Sequence, residues 1–119
     1  MRWIFLVNLA RFLTQAEKLG IPLIMFCFYR SPADQKKEYE AGRSRTLWGK
    51  HQGWLAVDVA IWDDKDLDLI VDVDEIRWKN DDRYSTLGVY WEFLGGVWGG
   101  RWKDPVDPYH FEVGPKMTL

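Results

Sequence analysis

Residues 54–62, WLAVDVAIW, form an almost wholly apolar stretch with one acidic residue, Asp58, in its middle. Branched and aromatic side chains of this kind favour a buried β-strand. Because side chains alternate along a strand, Asp58 shares a face with the small residues Ala56 and Ala60. A buried carboxylate without a partner is costly, so the fold must bring a binding partner to this face.

The surrounding sequence predicts the elements that pack with this strand. Residues 3–18 place apolar side chains at spacings of three and four, which indicates an amphipathic helix. Periodicity and turn residues predict the other elements: strands over 23–29 and 109–113, helices over 33–40 and 87–94, and an exposed hairpin or sheet edge within 63–82. This order predicts an α+β fold, in which helices pack around a small, largely antiparallel sheet.

Length, charge and cysteine content exclude several classes of protein. The 119 residues suit one domain, 1–119, and a net charge of −2 provides no basic surface for nucleic acid. No segment approaches the about 20 apolar residues of a membrane span, and no export signal is recognisable. The single cysteine, Cys27, is interpreted as a small buried apolar residue. We therefore expect a monomer that is synthesised in the cytoplasm and binds neither nucleic acid nor membrane.

Two histidines complete a predicted metal site around Asp58. His51 precedes it by an odd number of residues, so the chain must turn between them, and Gly53 provides a place for that turn. The only other histidine is His110, within a predicted strand. A catalytic zinc takes about three protein ligands, commonly His with Asp or Glu. We therefore predict that His51, Asp58 and His110 hold one zinc ion on the sheet face.

Two carboxylates near His110 are assigned different roles. Asp107 lies on a Pro-constrained turn three residues before it, where a carboxylate would accept a proton from the attacking water and pass it to the leaving amine. Strand alternation puts Glu112 on the same face as His110, and metal-bound imidazoles usually donate their second N–H to a carboxylate or carbonyl. We predict Asp107 as the catalytic base and Glu112 as a hydrogen-bonding support.

These segments resemble the motifs of a known peptidase family. The stretch HQGWLAVD resembles the S-x-H-x-x-G-x-A-x-D signature of zinc D-alanyl-D-alanine peptidases and of related phage endolysins that cut the L-alanyl-D-glutamate bond of peptidoglycan. Asp107 with His110 resembles the family's second motif, D/E-x-x-H. The segments YRSPADQKKEYEAGRS and LGVYWEFLGGVWGGRWKD resemble flanking family sequences, so the resemblance covers nearly the whole chain. Gly49 stands where the signature has serine, and Trp54 where it has glycine.

The resemblance implies a zinc-dependent peptidoglycan hydrolase that acts on the stem peptide, with an endolysin-like L-alanyl-D-glutamate endopeptidase as the preferred form. The alternatives are a D-alanyl-D-alanine carboxypeptidase and a non-catalytic, zinc-stabilised cell-wall binding module. The resemblance also implies that Arg30 faces the substrate, with Gln35 and Ser31 supporting it. Such an endolysin would reach the cell wall through a separately made pore.

Three tryptophans lie close in sequence to the motif residues. Trp54, Trp98 and Trp102 are therefore candidates to line the groove in which a glycan or stem peptide rests, although most tryptophans in a chain of this size pack in the core.

An acidic segment resembles a calcium-binding loop in its spacing. Its carboxylates occupy positions one, three, five and twelve of that loop: Asp64, Asp66, Asp68 and Glu75. Leu69 stands where the loop needs glycine for a sharp turn, and the segment alternates acidic and apolar residues as a strand does. We therefore predict a solvated sheet edge here and no calcium site.

Overall fold

A computed structural model describes residues 1–44, 46–68, 70–78 and 80–119. Its helices are α1 (Arg2–Lys18), α2 (Pro32–Glu40) and α3 (Arg83–Phe93), and its strands are β1 (Leu23–Cys27), β2 (Ala56–Trp62), β3 (Ile76–Arg77), β4 (Val97–Trp98) and β5 (His110–Glu112). The strand order is β1-β2-β5-β4, with β3 also paired to β2, and every pair is antiparallel. The predicted α+β fold with a small antiparallel sheet is confirmed.

The core lies between helices α1 and α3 and one face of the sheet. Phe12 of α1 packs edge-on against Trp91 of α3, with ring centroids 5.5 Å apart. Both rings also contact Phe111 of β5, at 4.8 and 6.1 Å. All three side chains are fully buried. Because Phe111 points into this core, strand alternation turns its neighbours His110 and Glu112 towards the opposite face.

Most predicted elements are present with shifted ends. Helix α1 is observed over nearly the predicted range, and α2 begins at Pro32 with the Ser31 hydroxyl accepting the Asp34 backbone N–H at 3.1 Å. Helix α3 begins at Arg83 rather than at residue 87. The residues of this first turn show no apolar periodicity, so the sequence pattern did not include them. Among the described residues, no helix combines the length and the apolar character that a bilayer crossing requires.

The sequence predicts a hairpin or a sheet edge within 63–82. The described part of this segment contains no hairpin of its own, and its contribution to the sheet edge is one short strand. Only Ile76–Arg77 pairs with β2. A 3-10 turn, Val73–Glu75, precedes it, and the buried Glu75 carboxylate accepts backbone N–H groups from Asp72 and Lys65 at 3.0 and 2.9 Å. The Glu75 carboxylate therefore binds backbone N–H groups that a second strand would use for pairing, and the segment stays irregular.

Candidate functional site

Three neighbouring strands carry a row of polar side chains on the sheet face opposite α1 and α3. Asp58 on the central strand β2 lies opposite Cys27 of β1 on one side and opposite His110 of β5 on the other. Such antiparallel partners have Cβ atoms about 4.5–5.5 Å apart. His51 comes from the 3-10 helix Lys50–Gly53, immediately before β2. The fold therefore brings the three predicted metal ligands together.

The two imidazoles each direct one nitrogen towards Asp58 and the other towards a hydrogen-bond acceptor. His51 Nε2 lies 3.4 Å from Asp58 Oδ2, while its Nδ1 lies 3.2 Å from the Phe28 carbonyl oxygen. His110 Nδ1 lies 3.0 Å from Asp58 Oδ1, while its Nε2 lies 2.8 Å from Glu112 Oε1. In a neutral imidazole whose outer N–H donates to its acceptor, the inner nitrogen presents a lone pair, as a metal ligand must. Both imidazoles thus border the Asp58 carboxylate, and Glu112 lies where the sequence predicts a support. Among the described residues, the sets that contain Asp58 and whose ligand atoms lie within 4.8 Å of one another are Cys27 with His51 and Asp58, and Asp58 with Asp107 and His110. One ion shared by His51, Asp58 and His110 therefore stays a prediction.

Mutual charge interactions hold this cluster in its ionised form when no metal competes. Burial alone would raise the pKa of Asp58, but hydrogen bonds from His110 and His51 lower it to about 2. Burial alone would lower the pKa of both histidines, but Asp58 raises the pKa of His51 to about 10 and of His110 to about 9. Metal binding must therefore displace protons from the imidazoles, which makes metal affinity depend on pH.

Asp107 lies beside the cluster, as its predicted role requires. Carboxylate oxygens of Asp107 and Asp58 and a ring nitrogen of His110 lie within 4.8 Å of one another. The backbone N–H of Tyr109 donates to Asp107 Oδ1 at 3.3 Å and orients it. Burial, followed by the negative charge of Asp58, raises the pKa of Asp107. A raised pKa makes a carboxylate a stronger base, so this environment favours uptake of a proton from an attacking water.

Arg30 faces the same cavity and is held by a buried amide. Its Nη2 lies 3.7 Å from Asp58 Oδ2, and its Nη1 donates to Gln35 Oε1 at 2.9 Å. Gln35 is 1% exposed, and its Nε2 donates to Ser44 Oγ and to the Thr46 carbonyl. Gln35 therefore positions Arg30 and fixes the following loop. Its two amide atoms are already hydrogen-bonded within the protein.

Ser31 serves the fold at this site. Its hydroxyl caps α2. Ser31 is not one of the described residues that line the cavity.

The metal-ligand cluster opens into a cavity of about 670 Å³. Trp102 lines this cavity, and its ring centroid lies 5.0 Å from that of His110. Trp98 is instead a core residue, 6% exposed, whose Nε1 donates to the Pro108 carbonyl at 2.9 Å. Trp54 lines a separate groove. Of the three candidate tryptophans, only Trp102 lies against the ligand cluster.

Cys27 is a cavity residue that the sequence analysis assigned to the core instead. It is half-buried and faces the cavity, with Sγ 3.7 Å from His51 Nδ1 and 3.6 Å from Arg30 Nη2. Burial raises the pKa of its thiol, but His51 and Arg30 outweigh burial and leave the pKa below its ordinary value. Cys27 is therefore not the apolar core residue that its neighbours suggested. The pairing of β1 with β2 puts Cys27 opposite Asp58, and knowledge of that pairing would have predicted that Cys27 faces the cavity.

The acidic segment gathers four carboxylates away from this cavity. Ligand atoms of Asp64, Asp66, Asp68 and Glu75 lie within 4.8 Å of one another. Glu75 is occupied by backbone N–H donors, as described above. Leu69, the residue that argued against a calcium loop, lies outside the described residues. The absence of a calcium site stays a prediction.

Sequence comparison assigns the chain to a family. A family model, Peptidase_M15_4, described as D-alanyl-D-alanine carboxypeptidase, matches residues 42–113. That range contains every predicted metal ligand and Asp107. The chain belongs to the M15 peptidase family. A comparison with curated protein sequences found no match.

Solved structures share the fold of this M15 peptidase. The L-Ala D-Glu endopeptidase ChiX of Serratia marcescens is similar with a TM-score of 0.59 and 27% identity, over 78% of this chain and 67% of ChiX. The LD-carboxypeptidase LdcB is similar with a TM-score of 0.56 and 19% identity, over 92% of this chain and 57% of LdcB. The chain therefore spans about two thirds of ChiX and little more than half of LdcB. The LdcB similarity concerns the fold alone.

Proposed function

We propose that this M15 peptidase is a zinc-dependent L-alanyl-D-glutamate endopeptidase that acts on the stem peptide of peptidoglycan. The observation that carries the metal centre is the arrangement of the two imidazoles. The outer nitrogen of each faces an acceptor, Phe28 or Glu112, and the inner nitrogen of each faces Asp58, so both inner nitrogens offer lone pairs to an ion once their protons are displaced. Two nitrogens and a carboxylate suit zinc, and three protein ligands leave a position for water and substrate.

Zinc bound there would supply Lewis acidity towards the peptide carbonyl and lower the pKa of the attacking water. Asp107, buried beside the ligands with a raised pKa, takes up the proton of that water and returns it to the leaving amine. Arg30 presents a guanidinium to the cavity, where its forked donors bind a substrate carboxylate or the negative charge that develops on the carbonyl oxygen. Gln35 keeps that guanidinium in place.

The choice of bond rests on the comparison with ChiX, named as an L-Ala D-Glu endopeptidase, at 27% identity over 78% of this chain. The family description, D-alanyl-D-alanine carboxypeptidase, favours a second candidate that would use the same site. The two activities release different products: the endopeptidase exposes a new amino terminus on D-glutamate, and the carboxypeptidase releases free D-alanine.

Digestion of purified peptidoglycan by the zinc-loaded protein tests the proposal. Mass spectrometry should find new D-glutamate amino termini and no free D-alanine, and chelation followed by zinc addition should abolish and then restore cleavage. Release of D-alanine without new D-glutamate termini would establish the carboxypeptidase instead. Binding to walls without any cleavage would support the non-catalytic module.

The proposal extends to a phage lytic role at the cell wall. Its support is the resemblance of LGVYWEFLGGVWGGRWKD to endolysin sequences. Co-expression with a pore-forming protein should lyse the host, whereas expression of the enzyme alone should leave cells intact. Lysis by the enzyme alone would contradict dependence on a pore.

A further inference from the structure

Trp54 adopts a backbone conformation that favours glycine. Its φ of 62° and ψ of 36° lie in the left-handed region, where a bulky side chain is a genuine outlier. The signature that this segment resembles has glycine at this position. The tryptophan side chain is 44% exposed, so burial in the core does not offset the backbone cost. A strained backbone that presents an exposed aromatic ring is typical of a functional position.

Trp54 and Tyr29 form one aromatic platform. Their rings are stacked, with centroids 4.5 Å apart and planes 12° from parallel, and Tyr29 is also 44% exposed. Phe28 packs beneath, with its ring 5.5 Å from Trp54. The platform lines a groove of about 550 Å³ that Arg2 and Gln52 border with polar groups. An apolar ring surface edged by hydrogen-bonding groups matches a sugar ring, which presents C–H groups on its faces and hydroxyls at its rim.

The platform is built on the same two segments that hold the metal site. Tyr29 directly precedes Arg30, and the Phe28 carbonyl lies against His51 Nδ1. Trp54 ends the 3-10 helix that contains His51. Trp54 is three residues from His51, so the Cα atoms of the two residues are at most about 11 Å apart.

We propose that the Tyr29–Trp54 platform binds a sugar ring of the glycan strand that carries the stem peptide. This inference rests on the proposed function. In peptidoglycan, L-alanine is the stem residue joined to the sugar, so an enzyme that cuts after L-alanine necessarily holds a sugar within one residue of the reacting bond. An enzyme that cuts at the far end of the stem has no sugar there. The platform thus gives the enzyme a preference for stem peptides that still carry their sugar.

Two soluble substrates test the platform: a disaccharide-linked stem peptide and the same peptide without sugar. The wild-type protein should show a KM for the sugar-bearing substrate that is lower by about three- to tenfold, the gain expected from one aromatic stack. Trp54→Gly should remove this preference through KM, and its glycine suits the left-handed backbone, so the fold should persist. Tyr29→Ala is the second variant, and Phe93→Ala, on α3 and 81% exposed, is the matched control that should keep the preference.

The outcomes separate the platform from the enzyme. A wild-type protein that cleaves both substrates with equal KM, or variants that keep the sugar preference, would overturn the platform. Variants that slow both substrates equally would assign the groove to the peptide and also overturn the sugar proposal. If the zinc-loaded wild-type protein cleaves neither substrate, the proposed function itself fails.

Discussion

Glu112→Ala should weaken zinc binding without removing a ligand. The Glu112 carboxylate lies 2.8 Å from His110 Nε2 and so fixes both the ring orientation and the tautomer that leaves Nδ1 free for the metal. Loss of such a support typically lowers metal affinity about ten- to hundredfold, which corresponds to about 1.4 to 2.7 kcal/mol.

The size of this loss should depend on pH. Without metal, the pKa of His110 is about 9. This is two units above pH 7, so the ring is protonated at pH 7 and zinc must displace that proton. For His110 alone, that competition weakens binding by about a hundredfold relative to alkaline pH, and the proton on His51, whose pKa is about 10, competes in addition. Glu112 is one of the groups that raise this pKa, after Asp58. Its removal therefore eases proton competition and hides part of the loss at pH 7, whereas the full loss should appear above about pH 9.

Zinc titration against a competing chelator at about pH 7 and pH 9.5 measures both effects. Glu40→Ala is the control, because Glu40 is an exposed carboxylate at the end of α2, paired only with Lys36 among its described contacts. Unchanged zinc affinity in Glu112→Ala at both pH values would refute the supporting role. An equal loss at both values would keep that role but refute the proton competition.

Three further substitutions test separate parts of the structure. Asp107→Asn should keep zinc affinity but lower kcat about 10²- to 10⁴-fold, which stopped-flow cleavage assays with zinc titration would check; undiminished kcat would remove Asp107 from proton transfer. Gln35→Ala should unfold at lower temperature, because it removes a buried side chain and its hydrogen bonds to Arg30 and the Thr46 carbonyl, and should raise KM by releasing Arg30; an unchanged KM would contradict that positioning role. Burial and the neighbouring Asp68 raise the pKa of Asp66 to about 6, so its ionised form opposes folding. Asp66→Asn should therefore raise the melting temperature at pH 7, with the gain vanishing towards pH 4; a gain that persists at pH 4 would exclude charge repulsion as its cause.

Local sequence patterns were sufficient to predict the long helices and strands in which apolar residues recur at regular spacing. They also predicted which side chains of a strand share a face. Helix α1 has several turns of apolar spacing, and β2 has an apolar run long enough to show that Asp58 faces away from Val57 and Val59. Strand β4 contains two residues, too few for any periodicity. It exists because Val97 and Trp98 pair with β5, a contact between distant segments that no local pattern encodes.

The site was predictable where a motif fixes residue order, and unpredictable where position depends on strand pairing. Cys27 has apolar neighbours along the chain, so its sequence context indicates a core residue, and only its pairing with Asp58 turns it towards the ligands. Trp98 lies near the motif in sequence, yet its indole N–H bonds the Pro108 carbonyl inside the core. Gln35 lies on a polar helix but is buried because the loop that follows this helix closes over it.

The row of side chains across β1, β2 and β5 also shapes how such an enzyme can diversify. Backbone pairing between Cys27 and Asp58 does not depend on the side chain at position 27. A hydroxyl or carboxylate in place of the thiol would leave that backbone pairing intact but would change the contacts that Cys27 Sγ makes with His51 Nδ1 and Arg30 Nη2. Position 27 is therefore a place where a substitution can change the charge beside the reacting centre without replacing Asp58 or either imidazole.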